Sequence, residues 1–186
     1  MSHISLTQRI RSLACLGFFL VHLVSTAIPA TYADNTDYYI DATSGSDMAD
    51  GLTPATAWQS LSRIQSGSYL PGDNIRFKCG ESYTGSLILQ DSGTAGNPIV
   101  YGSYGSCTPE TKPILAQSGS TSILSGTGLE YITIDGLHFM NSTSTTPAVS
   151  LMGTTESLTF IDSRFSGRGT SSSCLSLEYP NNYMIR

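Results

Sequence analysis

Two nine-residue phrases in this chain, YITIDGLHF from Tyr131 and SLTFIDSRF from Ser157, start 26 residues apart and share their order of apolar and polar residues. The same period aligns Ile123, Val149 and Leu175 in one column, Ile132, Leu158 and Met184 in a second, and Phe139 with Phe165 in a third. Self-similarity at such a period is the signature of a solenoid, in which each turn of chain covers the apolar face of the turn before it and is not stable alone. Within each phrase, apolar-polar alternation gives a strand, the aspartate bends the chain, and a second short strand ends in phenylalanine. The pairs Ile134-Asp135 and Ile161-Asp162 lie 27 apart while the flanking columns lie 26 apart, so one residue is expected to shift across that corner. A third copy, Tyr183-Met184-Ile185-Arg186, would set Arg186 inward beneath Phe160, which conflicts with its charge.

From Ile75 to Arg186 there are 112 residues, enough for about four turns. The pattern breaks off at Arg186 with a strand just begun, whereas a solenoid needs a cap over its last edge. The expectation is an N-terminal part of a longer protein.

The first 33 residues differ in kind from the rest. Arg9 and Arg11 precede an apolar run from Leu13 to Val24, and small residues lead to Thr31-Tyr32-Ala33. That order is the order of a secretory signal peptide. About 12 apolar-rich residues fall short of the roughly 20 that span a bilayer, so no transmembrane anchor is expected in the mature chain. Cys15 sits too early in the apolar run for a lipoprotein anchor. Residues 34–74 then read as an N-terminal strand, loop and capping helix, and residues 75–186 as the first, incomplete coils. Export places the protein outside the cell, at its surface or in a periplasm.

Loss of residues 1–33 removes two arginines and no acid, leaving 7 Lys and Arg against 14 Asp and Glu. Such an acidic surface excludes a nucleic-acid partner. The low charged fraction of 12% with 18 glycines suits a secreted β-rich protein full of turns better than a disordered one. Export also permits disulfides. Cys79 and Cys107 are a reasonable bridge between adjacent early turns, leaving Cys174 over; three buried thiols are the alternative, since spacing does not fix geometry.

Tyr38-Tyr39-Ile40-Asp41 reads as a first short strand. Thr53 can cap a helix with Pro54 at its first position, and Trp58, Leu61 and Ile64 then form a stripe at three-residue spacing before Gly67 ends the element. That amphipathic helix is expected to close the open end of the solenoid. Ile75 and Phe77 should point inward, with Arg76 and Lys78 outward. Leu87 to Leu89, Ile99 to Tyr101 and Ile114-Leu115 are further short strands.

The segments YYIDATSGSDMADGLTPATAWQSL, LPGDNIRFKCGESYTGSL, GTAGNPIVYGSYG and KPIL resemble the opening of secreted right-handed parallel β-helix proteins of the pectate-lyase-like superfamily. The likeness runs over nearly all of Tyr38 to Arg186. It implies an all-β, right-handed parallel β-helix with a short capping helix, C-terminally truncated. It also implies a carbohydrate-active protein, polysaccharide lyase-like, acting on an acidic polysaccharide or a cell-surface glycan. Lyases of that superfamily draw the proton next to a uronate carboxylate with a lysine or arginine, often with Ca²⁺ neutralising the carboxylate. Their catalytic residues lie on middle coils, so the resemblance carries no catalytic residue onto this chain and expects it to lack turnover; it allows Ca²⁺ as a cofactor without indicating a site. Other members are non-catalytic, so a glycan-binding protein, adhesin or surface scaffold is the alternative.

His138 and Arg164 stand beside the inward Phe139 and Phe165 and should form an outward basic column able to contact an acidic sugar chain, with Arg168 extending it. The alternative is an ordinary solvated face. Asp47 and Asp50 between glycines could be a calcium loop, against which stands a structural turn held by aspartate hydrogen bonds. Asp135 and Asp162 look like a carboxylate pair one coil apart, though each also suits its corner. The tyrosines at 38, 39, 101, 104 and 131 are read as packing positions, and Asn141-Ser142-Thr143 is a glycosylation sequon.

Overall fold

A computed structural model describes residues 35–117, 119–141, 146–153, 156–167, 175–177 and 183–185. The expected signal peptide, Arg168, Cys174, Arg186 and the Ser142 and Thr143 of the sequon lie outside the described residues. The strands, in chain order, are β1 (Asp37–Ile40), β2 (Asn74–Lys78), β3 (Ser82–Thr84), β4 (Leu87–Leu89), β5 (Ile99–Tyr104), β6 (Ile114–Gln117) and β7 (Leu124–Thr127). They continue with β8 (Glu130–Asp135), β9 (His138–Asn141), β10 (Val149–Met152), β11 (Glu156–Ile161), β12 (Arg164–Gly167), β13 (Leu175–Leu177) and β14 (Tyr183–Ile185). They form three sheets, in the orders β1-β2-β5-β8-β11-β14, β3-β6-β9-β12 and β4-β7-β10-β13. Every strand pairing in them is parallel. Each coil therefore visits the three sheets in turn, and the chain is a parallel β-helix with four complete coils among the described residues.

The core is a set of ladders running along the helix axis. Ile75, Tyr101, Ile134 and Phe160 stack in the first sheet, Tyr83, Leu115, Phe139 and Phe165 in the second, and Leu87, Leu124, Val149 and Leu175 in the third. Phe139 and Phe165 stack with ring centroids 5.4 Å apart, as their column requires. Ile75 and Phe77 are buried, while Arg76 and Lys78 point out to Asp37 and Asp41.

The register corrects three details of the sequence reading. Val149 lies on Leu124, not Ile123, so that step is 25 residues; Ile123 is buried beside it, its amide bonded to the Ala148 carbonyl. Leu158 pairs with Tyr183, and Met184 falls on Thr159 with 44% of its surface exposed, so this step too is 25 and Met184 is not a core residue. Phe160 then lies on Ile185, which removes the conflict over Arg186. Finally, nothing shifts across the β8 and β11 corners: Asp135 pairs with Ile161 and His138 with Arg164, both at 26. Asp162 instead matches Gly136, and both are left-handed, at φ 45° and 69°. An aspartate stands where its neighbour coil uses glycine because the two are among the residues that tolerate this conformation.

The first coil is closed by two short elements where one helix was expected. A 3-10 turn at Pro54–Thr56 is capped by Thr53, as read from the sequence. Trp58 is then extended and bridges Ile40, and only Leu61–Gln65 form a helix, α1, capped by the Ser60 side chain. Three-residue spacing placed Trp58, Leu61 and Ile64 on one face correctly, since all are buried, but that spacing also fits a strand residue followed by a one-turn helix. Trp58 stacks on Tyr38 with centroids 5.1 Å apart, carries the Arg63 guanidinium over its ring at 4.3 Å, and donates its indole N–H to the Ala49 carbonyl at 3.0 Å. Gly51, at φ 76°, leaves room for it; a Cβ there would meet the indole at 2.4 Å.

Candidate functional site

The repeat that stacks Phe139 and Phe165 inward turns their neighbours outward, because successive side chains in a strand alternate faces. The outer face of the second sheet therefore carries Ser82, Ile114, His138 and Arg164 in one row and Thr84, Ala116, Met140 and Ser166 in the next. His138 and Arg164 are direct register partners, as the sequence column requires. Arg164 is exposed and His138 half-buried. The His138 Nε2 lies 2.7 Å from the Ser166 Oγ on the adjoining strand. Burial, with the Arg164 guanidinium alongside, holds the His138 pKa below the ordinary histidine value.

Most cations of the described residues are already engaged. Arg76 donates to Asp37 at 2.8 Å, Lys78 to Asp41 at 2.6 Å, and Arg63 lies over Trp58. Lys112, just before β6, pairs with Asp162 at the corner before β12, two coils away. Its side chain is 10% exposed and that of Asp162 73%. Gly136 occupies the corner of the coil between them, where a Cβ would meet the Ser103 hydroxyl at 2.7 Å. Among the described residues Arg164 has neither an acidic partner nor an aromatic ring beneath it.

The candidate calcium loop has spent its oxygens on the fold. Asp47 accepts from the Gln59 and Ser60 amides at 2.8 and 2.9 Å and from the Ser60 hydroxyl at 2.6 Å, and Asp50 accepts from the Leu52 amide at 3.0 Å. Burial works against ionisation of Asp47, but these bonds outweigh it and hold its pKa below 3.8. These residues do not fit a calcium ion, which needs six or more converging oxygens. Among the described residues no three His, Cys, Asp or Glu side chains come together as a metal site. Asp135 and Asp162 do not form a pair on one rung, since Asp135 pairs with Ile161 and Asp162 takes Lys112.

The tyrosines serve packing. Tyr101 is buried, Tyr38 stacks on Trp58, and Tyr39 meets Tyr104 edge-on at 5.1 Å. Asn141 of the sequon is buried and donates to the Thr146 carbonyl at 3.2 Å, an orientation that withholds its amide from modification in the folded chain. Cys79 and Cys107 are joined in a disulfide, their Cα atoms 5.3 Å apart. Sequence reasoning missed Ser166 and Lys112. Ser166 could have been found two places after Arg164 on the same face; the Lys112 contact with Asp162 spans two coils and has no counterpart in the repeat.

No family model matches the chain, and no curated protein does. Among solved structures it is similar to a GH136 lacto-N-biosidase from Eubacterium ramulus. With the selenomethionine derivative the TM-score is 0.63 at 17% identity, covering 81% of this chain and 34% of that one. With the native protein it is 0.54 at 16% identity and the same coverage. A rhamnogalacturonan lyase gives 0.48 at 14% identity over 75% of this chain and 44% of that one, a score that carries no argument. At these identities the likeness shows the fold. The chain spans about a third of the lacto-N-biosidase's length.

Proposed function

We propose that this chain belongs to an exported, carbohydrate-active β-helix protein, polysaccharide lyase-like, whose basic row on the second sheet contacts an acidic polysaccharide or cell-surface glycan. The observation that carries the reading is Arg164: in a chain with 14 acids against 9 Lys and Arg, it is an outward cation beside His138 with no counter-charge among the described residues. A sugar carboxylate or sulfate is the ligand chemistry that such a guanidinium favours. Arg168 extends the row in this proposal. The fold shared with a lacto-N-biosidase supports the carbohydrate class, and the Cys79–Cys107 disulfide supports an oxidising, exported location. Catalysis is assigned to coils beyond those in this chain, in keeping with its span of 34% of that neighbour.

The second reading, a non-catalytic glycan-binding protein, adhesin or scaffold, is favoured by Ser125, Ser150 and Ser176, which form an uncharged outward row on the third sheet. One assay addresses both. The purified chain is incubated with pectate, alginate and glycosaminoglycans, with and without Ca²⁺, and followed for unsaturated products in the ultraviolet; neutral glycans are followed for reducing ends. The expected result is binding of the acidic glycans without turnover. Turnover that disappears in His138→Ala or Arg164→Ala would move the basic row from a contact to an active site.

A further inference from the structure

The outer row pairs a permanent cation with a group that is only conditionally one. Arg164 keeps its charge at any accessible pH, while His138 sits one strand away with its Nε2 against the Ser166 hydroxyl. Resting on the reading of this face as a glycan contact, we infer that Arg164, His138 and Ser166 form a proton-coupled anion site: a sugar carboxylate or sulfate held by Arg164 draws a proton from solvent onto the His138 imidazole. No covalent bond to the glycan forms or breaks; one proton moves from water to a ring nitrogen.

The groups around the ring decide the direction of the coupling. From β12 the charged group facing His138 is Arg164. At the corner before β12 stands Asp162, engaged by Lys112 from the segment before β6. β6 itself presents Ile114 and Ala116, and the outward neighbour of His138 on β9 is Met140. No carboxylate among the described residues forms an ion pair with the ring, so in the free protein burial and the neighbouring cation both disfavour the imidazolium. An anion on Arg164 reverses that balance. The neutral ring can accept the Ser166 proton; once protonated, Nε2 must donate to Oγ, and the serine hydroxyl is freed to turn toward the anion. Protonation thus supplies a second cation and a donor to the same ligand. The folded pKa is depressed in the free site by burial and by Arg164, so the bound anion raises it back and affinity increases as pH falls.

The test is calorimetric titration of the purified chain with an oligogalacturonate, with a sulfated oligosaccharide, and with an uncharged oligosaccharide of equal length. Between about pH 8 and about pH 5.5, both anionic probes keep their charge while histidine titrates. Both should bind about two- to fivefold more tightly at the lower pH, the scale expected of one added cation at a partly exposed site. His138→Gln should flatten the pH dependence; Arg164→Gln should weaken binding at both pH values. Ring proton resonances of His138 should titrate at a higher pH with the sulfated probe than without it. Arg164-dependent binding that is equally tight at both pH values, or a His138 pKa unmoved by the probe, overturns the proton coupling and leaves the glycan contact standing. Binding that is absent, or indifferent to Arg164→Gln, overturns both.

Discussion

The turns around Trp58 and the regular coils from β7 onward solve the same problem by different means. In the coils each inward residue lies on a similar residue of the coil before it, Phe165 on Phe139 and Leu158 on Ile132, and the sequence needs only to repeat itself. At the N-terminal end there is no preceding coil to copy. Contacts there are individual: Tyr38 and Arg63 both pack on the Trp58 ring, the Tyr83 hydroxyl donates to the Ile40 carbonyl at 2.8 Å, and Asp47 and Asp73 collect backbone amides. Of the four ion pairs among the described residues, two tie β1 or the segment after it to the first coil, a third, Lys78–Glu81, lies within that coil, and Lys112–Asp162 joins later coils. A stack supplies its own specificity by periodicity, whereas the end of a stack has to be specified contact by contact.

The comparison breaks hardest at Trp58. Trp58→Ala should cost about 3–5 kcal/mol, like Phe139→Ala in the coils, because each empties a buried aromatic site. Chemical denaturation of both variants is the check. If Trp58→Ala melts only the first strands while the coils unfold unchanged, the cap is not part of the cooperative unit. Next in size is the disulfide. Replacing Cys79 and Cys107 with serine opens a cross-link over a sequence separation of 28 and should cost about 2–4 kcal/mol in the same measurement.

Asp47→Ala should cost about 2 kcal/mol, since it strands the Gln59 and Ser60 amides at the start of α1. Asp41 adds a pH dependence of the same sign. Burial disfavours its charge, but the Lys78 ammonium and the Ser44 and Thr43 amides outweigh that and lower its folded pKa below 3.8. A lowered carboxylate pKa stabilises the fold above 3.8 and loses that contribution as pH falls through the folded value. Acid should therefore loosen the N-terminal turns first, visible as hydrogen exchange at Tyr39 and Trp58 before Phe139. The smallest effect, about 1 kcal/mol, is expected of Asp162→Asn, which keeps a residue tolerant of the left-handed corner and removes only the charge facing Lys112. An unchanged melting temperature would show that the pair is an ornament of the surface.

How much of this was legible in the sequence depended on whether the contact repeats. The Phe139 and Phe165 stack, the Ile132 and Leu158 column and the His138 and Arg164 rung follow from one period. The misreadings fall where the period changes by one: Ile123 and Leu124 are both apolar, so an assumed step of 26 selected the wrong neighbour, and the same assumption put Met184 in place of Tyr183. Ile134 and Ile161 look alike because each precedes an aspartate, yet register places Phe160 on Ile134. The short pieces around Trp58 share a spacing with a helix, and only the Ile40 bridge tells them apart. Arg164 was visible as outward, but its lack of an acidic partner among the described residues could not be read until Lys112 was seen to take Asp162.

The Lys112–Asp162 pair has a consequence for how such a stack comes apart. In a pile of coils that touch only their neighbours, each interface is a separate term, and a fault travels one step at a time. An ammonium that reaches from the segment before β6 to the corner before β12 adds a term of about 1 kcal/mol between next-nearest neighbours, so the coils of β6 and β12 are coupled across that of β9. Pulled along its axis, the helix should meet a small added resistance over those three coils, the pair acting as a light tie between plates that otherwise touch only their neighbours.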